Sequence, residues 1–200
     1  MIRVIKKIPN NVVIACSGGI DSMAFTHFLR QGKRKVKLAF FNHDTFHSKH
    51  AQSFVEEYAN KNNLELFLGR VQGTKGRRSI EEFWRDERYN FFNKIDTNFL
   101  ITCHHLDDVV ETWIMSSLHG QSKLIPYKRG ENVFRPFLMT PKKVIKDYAE
   151  RKQVEWVEDP SNSKTEYIRN HIRHSMMPLV LKVNPGIRKT IRKKMLESYF

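Results

Sequence analysis

Residues 11–22 read NVVIACSGGIDS, and this stretch decides the fold. Its first six residues are mostly apolar and β-branched, which predicts a buried strand over residues 11–16. Two glycines follow at once, and a helical pattern begins at Ser22. The amide groups at the start of such a helix point toward the preceding turn and attract negative charge. The stretch therefore predicts a strand, a phosphate-binding loop and a helix.

Every residue of the loop has a place in this prediction. The expected phosphate-binding residues are Ser17, Gly18, Gly19, Ile20, Asp21 and Ser22. Glycine permits positive φ angles and close approach of the backbone to a phosphate. A carboxylate at position 21 would repel a bare phosphate, so we expect a bridging Mg²⁺ with Asp21 as its protein ligand. The loop is neither a Walker loop nor a GxGxxG fingerprint, and a glycine turn with a serine cap is the structural alternative.

The rest of the chain alternates short apolar segments with longer segments of helical period. Further strands are predicted over residues 35–41, 64–69 and 98–102, and helices over 22–31, 48–62, 79–95 and 106–119. This order is typical of an α/β fold, a Rossmann-like parallel sheet with helices on both faces and ligand sites beyond the carboxyl ends of the strands.

The second half of the chain is less regular. Residues 120–136 read as a loop, and residues 140–152 read as a helix with Thr140 as N-cap and Pro141 in its first turn. A short strand is predicted at residues 156–157 and a turn at 159–162. Beyond residue 164 we expect basic helices, broken at Pro178 and at residues 184–186.

Positive charge predominates. Lys and Arg number 35 against 21 Asp and Glu, a formal net charge of +14. Residues 164–200 carry nine of the basic side chains and only two Glu. This balance indicates a polyanionic partner, although a solvated helix face or a membrane surface would also suit a basic run. Because no apolar run approaches the roughly 18 residues of a membrane span and no signal peptide is evident, we expect a cytoplasmic protein without membrane contact.

A second polar cluster follows the fourth predicted strand. Residues 103–112 read CHHLDDVVET. On a helix beginning near Leu106, Asp107 and Glu111 share one face, and Asp108 lies on the neighbouring face. Acidic residues in a first turn also suit the helix dipole, which is the structural explanation. Adjacent histidines rarely bind one ion together, so we do not expect a metal site at His104 and His105.

These two motifs resemble those of a known family. SGGIDS resembles the SGGxDS loop of the PP-loop ATP pyrophosphatases, which have an adenine nucleotide α-hydrolase-like fold. HHLDDVVET resembles HHxDDxxET, a signature of tRNA(Ile)-lysidine synthetases and their nearest thiolating relatives. In that superfamily the loop grips the pyrophosphate of ATP while a substrate oxygen attacks the α-phosphate.

Four further segments resemble the lysidine synthetase family in the right order. The segments are Glu81, Arg85, Arg88 and Tyr89 of an ExxxRxxRY helix, Arg135-Pro136, residues 156–162 of a WxxDPSN stretch, and residues 167–173 of a YxRNxIR helix. The chain departs from the family at residues 42–46, NHDTF, where the family has DHxLR; His43 is retained and is the expected adenine contact. Larger members carry additional C-terminal domains, so the resemblance suggests a minimal form.

The resemblance implies an AMP-forming ligase that uses ATP and Mg²⁺. Its substrate would be wobble cytidine 34 of a tRNA(Ile) with a CAU anticodon, and free L-lysine would supply the amine. The implied catalytic residues are Asp21, Arg85, Arg88, His104, Asp107 and Asp108. Among these, Asp108 is the first candidate, and Asp107 the second, to bind the lysine ammonium and accept its proton.

The same resemblance implies residues that contact the substrates. They are Glu111, Arg135, Asp159, Asn162, Tyr167, Arg169, Asn170 and Arg173, of which Arg169 and Arg173 would touch RNA phosphates. We expect a nucleotide-binding catalytic domain over residues 1–136 and a basic helical, tRNA-contacting extension over 137–200.

Three other functions remain open from the sequence. A tRNA thiolase of the same fold is one, although sulfur transfer usually needs several cysteines and this chain has only Cys16 and Cys103. A non-catalytic tRNA-binding derivative and a small-molecule amide synthetase are the others. The sequence also leaves open whether the protein forms a homodimer.

Overall fold

The predicted alternation of strands and helices forms in the first half of the chain. The computed structural model describes residues 1–159 and 168–199. The first elements are β1 (Asn11–Ala15), α1 (Ile20–Gln31), β2 (Lys35–Asn42), α2 (Phe46–Lys61), β3 (Leu66–Arg70), α3 (Ile80–Lys94), β4 (Leu100–Ile101) and α4 (Leu106–Ser117). All eight coincide with predicted elements, with ends that differ by a few residues.

The second half differs from the prediction in several places. Its elements are β5 (Lys128–Arg129), β6 (Val133–Phe134), α5 (Lys142–Arg151), α6 (Ile168–His171), a π-helical segment (Ile172–Met176), α7 (Met177–Val183) and α8 (Ile187–Tyr199). The hairpin of β5 and β6 lies in the predicted loop, since strands of two residues are too short to show a period. Residues 156–157 form no strand. The break at residues 184–186 is confirmed.

Two helix boundaries were wrong for identifiable reasons. Pro178 does not break a helix, because it lies in the first turn of α7, where a missing N–H costs nothing. Thr140 does not cap α5, because its hydroxyl donates to the backbone oxygen of Arg3 and accepts from the Arg3 amide. Pro141 is the N-cap residue instead.

The sheet has six strands in the order β3-β2-β1-β4-β6-β5. Neighbouring strands from β3 to β6 run parallel, and only β5 pairs antiparallel with β6. The chain moves outward from β1 to β3 and then returns to β4 on the other side of β1. A crevice therefore opens beyond the carboxyl ends of β1 and β4, the topological switch point where open α/β sheets bind ligands.

Alternate residues of the central strands point into two separate apolar clusters. Ile14 and Leu38 pack in the larger cluster with residues of α1, α2 and α5. Val13 and Ala39 pack in another cluster, where Tyr89 and Phe92 supply the contacts from α3. Successive side chains of a strand point to opposite faces, so α2 and α3 lie on opposite faces of the sheet.

The C-terminal helices pack against α4. Ile172, Met177, Ile187, Ile191 and Met195 are buried with Val109, Val110 and Ile114 of α4. This apolar contact fixes the basic helices beside the acidic first turn of α4. Over the described ranges, no helix is both long enough and apolar enough to span a bilayer.

Candidate active site

The SGGIDS loop lies at the switch point, as its place after β1 requires. Gly18 has φ +79°, and a Cβ there would lie 3.1 Å from a Val157 methyl and 3.3 Å from a Val55 methyl. Gly18 is therefore required as glycine. Gly19 differs from the expectation, since its φ of −75° is open to any residue. The Ser22 hydroxyl donates to the Gly19 carbonyl at 2.9 Å and accepts from the Ser17 amide at 3.2 Å, which holds the turn in shape.

Asp21 projects from the first turn of α1 and already binds a cation. The Lys142 ammonium lies 2.7 Å from both carboxylate oxygens. His105 Nε2 approaches the same carboxylate at 3.7 Å. Asp21 is thus the point at which the loop, the start of α4 and the start of α5 meet.

His105 and Asp108 close the N-terminus of α4 in a reciprocal capping box. The Asp108 carboxylate accepts from the His105 amide at 2.9 Å, and His105 Nδ1 accepts from the Asp108 amide at 3.3 Å. Although burial opposes ionisation, His105 and His104 and the bond from the His105 amide hold the pKa of Asp108 down at about 2. Asp108 is accordingly a permanent negative charge at neutral pH.

Asp107 is occupied by structural bonds. One of its oxygens accepts from the Lys142 amide at 2.7 Å, which satisfies a free N–H at the start of α5. The other oxygen accepts from Arg188 Nε at 2.7 Å. Asp107 therefore ties α4, α5 and α8 together, whereas Asp108 lies nearer the loop through its contact with His105.

Arginines from the C-terminal helices neutralise the next turn of α4. Arg173 forms two bonds to Glu111, from Nε at 2.7 Å and from Nη2 at 2.9 Å, and Glu111 is only 3% exposed. Arg169 donates to the Thr112 hydroxyl at 2.9 Å. Arg169 and Arg173, which we expect to contact RNA, therefore also form hydrogen bonds within the protein. Glu111, an expected substrate contact, is bound to protein.

A second group of arginines surrounds Tyr89 on α3. Arg129 lies 3.7 Å and Arg88 5.7 Å from the centre of the Tyr89 ring. Burial lowers the pKa of Arg88, and the like charges of Arg85, Arg169 and Arg129 lower it further. Such mutual repulsion is relieved by a bound anion, so the cluster suits a phosphate.

His104 sits beside this group as a neutral imidazole. Its Nδ1 is 3.0 Å from the Thr102 hydroxyl. Burial lowers the pKa of His104 to about 3, against the opposing effect of Asp108. A neutral ring can donate to or accept from a substrate at physiological pH without carrying charge.

The remaining predicted residues have varied positions. His43 packs against Trp84 with ring centres 5.3 Å apart, and its Nδ1 is buried without a hydrogen-bond partner among the described residues. Asp159 lies 3.8 Å from His47, and Asn170 is half-buried on α6. Asn162 and Tyr167 fall outside the described residues, as does most of the predicted turn at 159–162.

Arg135 is an interior residue, unlike the substrate contact that was expected. It is 2% exposed, and its guanidinium donates to the Pro126 carbonyl and to the Tyr89 hydroxyl. The arginine therefore supports Tyr89 from behind. This position explains why an arginine follows β6 without requiring that it touch a ligand.

The sequence reasoning missed Lys142, Arg188 and Arg129. Lys142 had a usable signal, because a lysine in the first turn of a helix opposes the helix dipole and must have another partner. Arg188 was counted only as part of the basic tail. Arg129 lies in the hairpin that was read as a loop.

Both cysteines are poor nucleophiles. Burial raises the pKa of Cys16 and, more strongly, that of Cys103. Thiolates rather than thiols attack and bind metals, so these positions do not favour sulfur chemistry. Within residues 1–159 and 168–199, no three His, Cys, Asp or Glu side chains gather to hold a metal ion.

Comparisons with known proteins agree with this geometry. A family model described as the PP-loop domain matches residues 3–180. A tRNA(Ile)-lysidine synthase from Persephonella marina is 35% identical over 96% of this chain, and one from Enterococcus faecalis is 30% identical over 87%. The matches cover 45% and 41% of those proteins, so the chain spans about half the length of the curated relatives it matches.

A solved structure shares the fold. The U34-tRNA thiolase NcsA from Methanococcus maripaludis, with its [4Fe-4S] cluster, superposes with a TM-score of 0.77 at 16% identity. The match covers 96% of this chain and 73% of the thiolase. At this identity the likeness concerns the arrangement of strands and helices alone.

Proposed function

Because this chain belongs to the PP-loop domain family, we propose that it joins lysine to a cytidine of tRNA(Ile). This is the reaction that the names of its curated relatives describe. The observation that carries the proposal is the meeting of Asp21 and Asp108 at His105. This contact unites the SGGIDS loop, which resembles that of the PP-loop ATP pyrophosphatases, with the start of α4, whose HHLDDVVET motif resembles the signature of lysidine synthetases and their thiolating relatives.

The first step would activate the base. Cytidine O2 attacks the α-phosphorus of ATP, the bond to the β-phosphate oxygen breaks, and pyrophosphate leaves. The amide groups of Ser17–Ser22 and the start of α1 would hold the departing pyrophosphate. Arg85 and Arg88 would stabilise the negative charge that develops at the α-phosphate, where fixed cations lower the barrier without reorganising.

The residues around Asp21 fit a Mg²⁺ ion. The carboxylate already binds the Lys142 ammonium with both oxygens, so its position accepts a cation. Asp21 would be the protein ligand, and substrate phosphates would complete the coordination. When bound, the ion would neutralise phosphate charge.

The second step would replace the activated oxygen. The lysine ammonium first loses one proton to water, its ε-nitrogen then attacks C2 of the cytosine, the bond from C2 to the adenylated oxygen breaks, and AMP leaves. Asp108 suits binding of the incoming ammonium. Its pKa of about 2 makes it a weak base, because taking a proton from an ordinary ammonium would be uphill by roughly eight pKa units. We therefore propose that Asp108 positions the amine, which differs from the proton acceptor expected from the sequence.

The test is incorporation of labelled lysine into RNA. The protein is incubated with ATP, Mg²⁺, radiolabelled lysine and an unmodified tRNA(Ile) transcript with a CAU anticodon, and a methionine tRNA with the same anticodon is the control. Label in the isoleucine tRNA alone, lost in Asp21→Asn and Asp108→Asn, is the expected result. Release of pyrophosphate without incorporation of lysine would contradict the proposal and leave another base modification.

A further inference from the structure

A groove lies beside α3, between this helix and the β5–β6 hairpin. Its volume is about 340 Å³, within the roughly 300–1,000 Å³ of small-ligand pockets. Its walls are Arg78, Asp86, Tyr89, Asn90, Asn93 and Arg129. At the hairpin turn it opens at Gly130, where a Cβ would meet no other atom within 4 Å.

The side chains of the groove are suited to single-stranded RNA. Asn90 and Asn93 are exposed and three residues apart on one face of α3, so their amides point to the same side. The Arg129 guanidinium lies 3.7 Å from the centre of the Tyr89 ring and lines the groove, and a planar guanidinium can stack on a base. Bases of unpaired RNA are commonly held by arginine or aromatic planes and by hydrogen bonds to their edges.

One wall of the groove is held in place by protein contacts. Arg78 Nη1 donates to Asp86 at 3.1 Å and the Arg78 guanidinium lies 5.3 Å from the Phe83 ring centre. This pairing neutralises Asp86, the one carboxylate among the lining residues. Because Arg78 and Asp86 neutralise each other, Arg129 gives the lining of the groove a net positive charge.

The groove shares Tyr89 with the arginine cluster that the proposed function places at the α-phosphate. Tyr89 carries Arg129 on the groove side and lies 5.7 Å from Arg88, and Arg85 is one turn away on the same helix. The positive side chains therefore extend along α3 from the expected position of the α-phosphate to the hairpin. A polynucleotide that places one base at the active site must continue past it, and a path lined by cations lowers the repulsion between its phosphates.

We propose that this groove binds a nucleotide adjacent to the reacting cytidine in the single-stranded anticodon loop. Arg129 stacks on the base or pairs with its phosphate, and Asn90 and Asn93 bond to the base edge. The inference rests on the proposed function for the choice of RNA. It adds Asn90, Asn93 and Arg129, which lie outside the motifs that the family resemblance supplied, to the residues that bind RNA.

Negative charge introduced on α3 tests the groove without disturbing the core. Asn90→Glu and Asn93→Glu change exposed helix positions to a residue with good helix propensity. Asn60→Glu is the matched control, because Asn60 is exposed near the end of α2 on the opposite face of the sheet. Arg129→Ala removes the stacking cation directly.

The measurement is equilibrium binding of a fluorescent anticodon stem-loop RNA at several salt concentrations. Each groove variant is expected to bind roughly tenfold more weakly, the scale of one lost base contact. Arg129→Ala should also reduce the slope of log affinity against log salt by about 1. Asn60→Glu should bind as the unmodified protein does, and ATP affinity should be unchanged in Asn60→Glu, Asn90→Glu and Asn93→Glu.

The outcomes separate this proposal from the proposed function. RNA affinity in the groove variants equal to that of Asn60→Glu would overturn the groove, and lysine incorporation by the unmodified protein would still stand. Loss of RNA affinity confined to the groove variants would support the groove even if no lysine were incorporated. Failure of the unmodified protein to bind the RNA would overturn both.

Discussion

Lys142 and Asp21 form the ion pair that bears most directly on chemistry. Both side chains are partly exposed, at 40% and 28%, so the pair contributes little to folding stability. Its importance is that a protein cation occupies the carboxylate expected to share a metal ion with ATP. Any divalent ion at Asp21 must compete with this ammonium.

Lys142→Gln is expected to strengthen binding of a divalent ion to the protein in the absence of ATP. Removal of a competing ion pair worth up to about 1 kcal/mol predicts an increase of about fivefold. Mn²⁺ binding followed by electron paramagnetic resonance measures this directly. Lys143→Gln is the control, because Lys143 is 86% exposed and pairs only loosely with Asp147 at 3.4 Å. Equal Mn²⁺ affinity in the two variants would contradict the competition.

His104 predicts a pH dependence of stability. Its pKa is about 3 in the folded protein and about 6.5 in an unfolded chain. Between these values the unfolded chain binds more protons, so the unfolding free energy falls as the pH decreases, by about 1.4 kcal/mol per pH unit for this one group. The loss begins near pH 6.5 and continues toward pH 3.

Urea unfolding of His104→Gln between pH 7 and pH 5 checks this expectation. As the pH falls, the unfolding free energy of the variant should decrease less steeply than that of the unmodified protein. The two slopes should differ by the contribution of one bound proton, about 1.4 kcal/mol per pH unit. His50→Gln, at an exposed position of α2, should leave the slope as it is. Identical slopes for His104→Gln and the unmodified protein would show that the ring is not held neutral.

At the scale of elements, α4 is held from one side by the loop after β1 and from the other by the C-terminal helices. Arg169 and Arg173 are four residues apart and reach the same turn of α4, where Arg169 Nε also approaches Glu111 at 3.8 Å. The π-helical segment begins at Ile172, within this contact. Such segments often occur at functional sites. Placement of the acidic first turn of α4 thus depends on helices that are distant in the chain.

The ion pair of Arg173 and Glu111 is expected to be asymmetric. Arg173→Met leaves Glu111, a carboxylate that is 3% exposed, with the longer Arg169 contact at 3.8 Å in place of two short bonds, and should cost about 3 kcal/mol of unfolding free energy. Glu111→Gln should cost nearer 1 kcal/mol, because the Arg173 side chain is 35% exposed and its charge reaches water. Chemical denaturation of both variants measures the difference. Equal costs would mean that Glu111 gains other compensation on loss of Arg173.

At the scale of the whole molecule, the net charge is +14. The basic side chains of the C-terminal region, which contribute to this charge, fall into two groups. Arg169, Arg173 and Arg188 of the C-terminal region are engaged with α4. Lys182, Lys189 and Lys194 are exposed. The exposed group supports the proposal that the basic C-terminal helices contact tRNA phosphates, whereas the engaged group stabilises the site.

The double variant Lys189→Ala with Lys194→Ala is therefore expected to weaken tRNA binding and flatten its salt dependence. Each lost phosphate contact should reduce the slope of log affinity against log salt by about 1. Arg188→Ala should instead lower the unfolding free energy, since it frees a carboxylate of α4. Filter binding at several salt concentrations, together with urea unfolding, distinguishes the two. A double variant with an unchanged slope would show that α8 lies away from the RNA.

The sequence alone determined the fold class, the SGGIDS loop and the acidic start of α4. These features depend on short-range rules: the period of apolar residues, the need for glycine at a positive φ, and the capping of a helix end. The strands β5 and β6 escaped it, because they lie in the largely polar stretch KRGENVF, which shows no apolar period.

Only the tertiary structure decided which charges meet. Lys142 reaches Asp21 across 121 residues, Arg188 reaches Asp107 across 81, and Arg173 reaches Glu111 across 62. No local pattern encodes such partners, because long side chains pair according to where whole helices pack. The apolar contact between α4 and the C-terminal helices sets those positions, and the ion pairs follow from it.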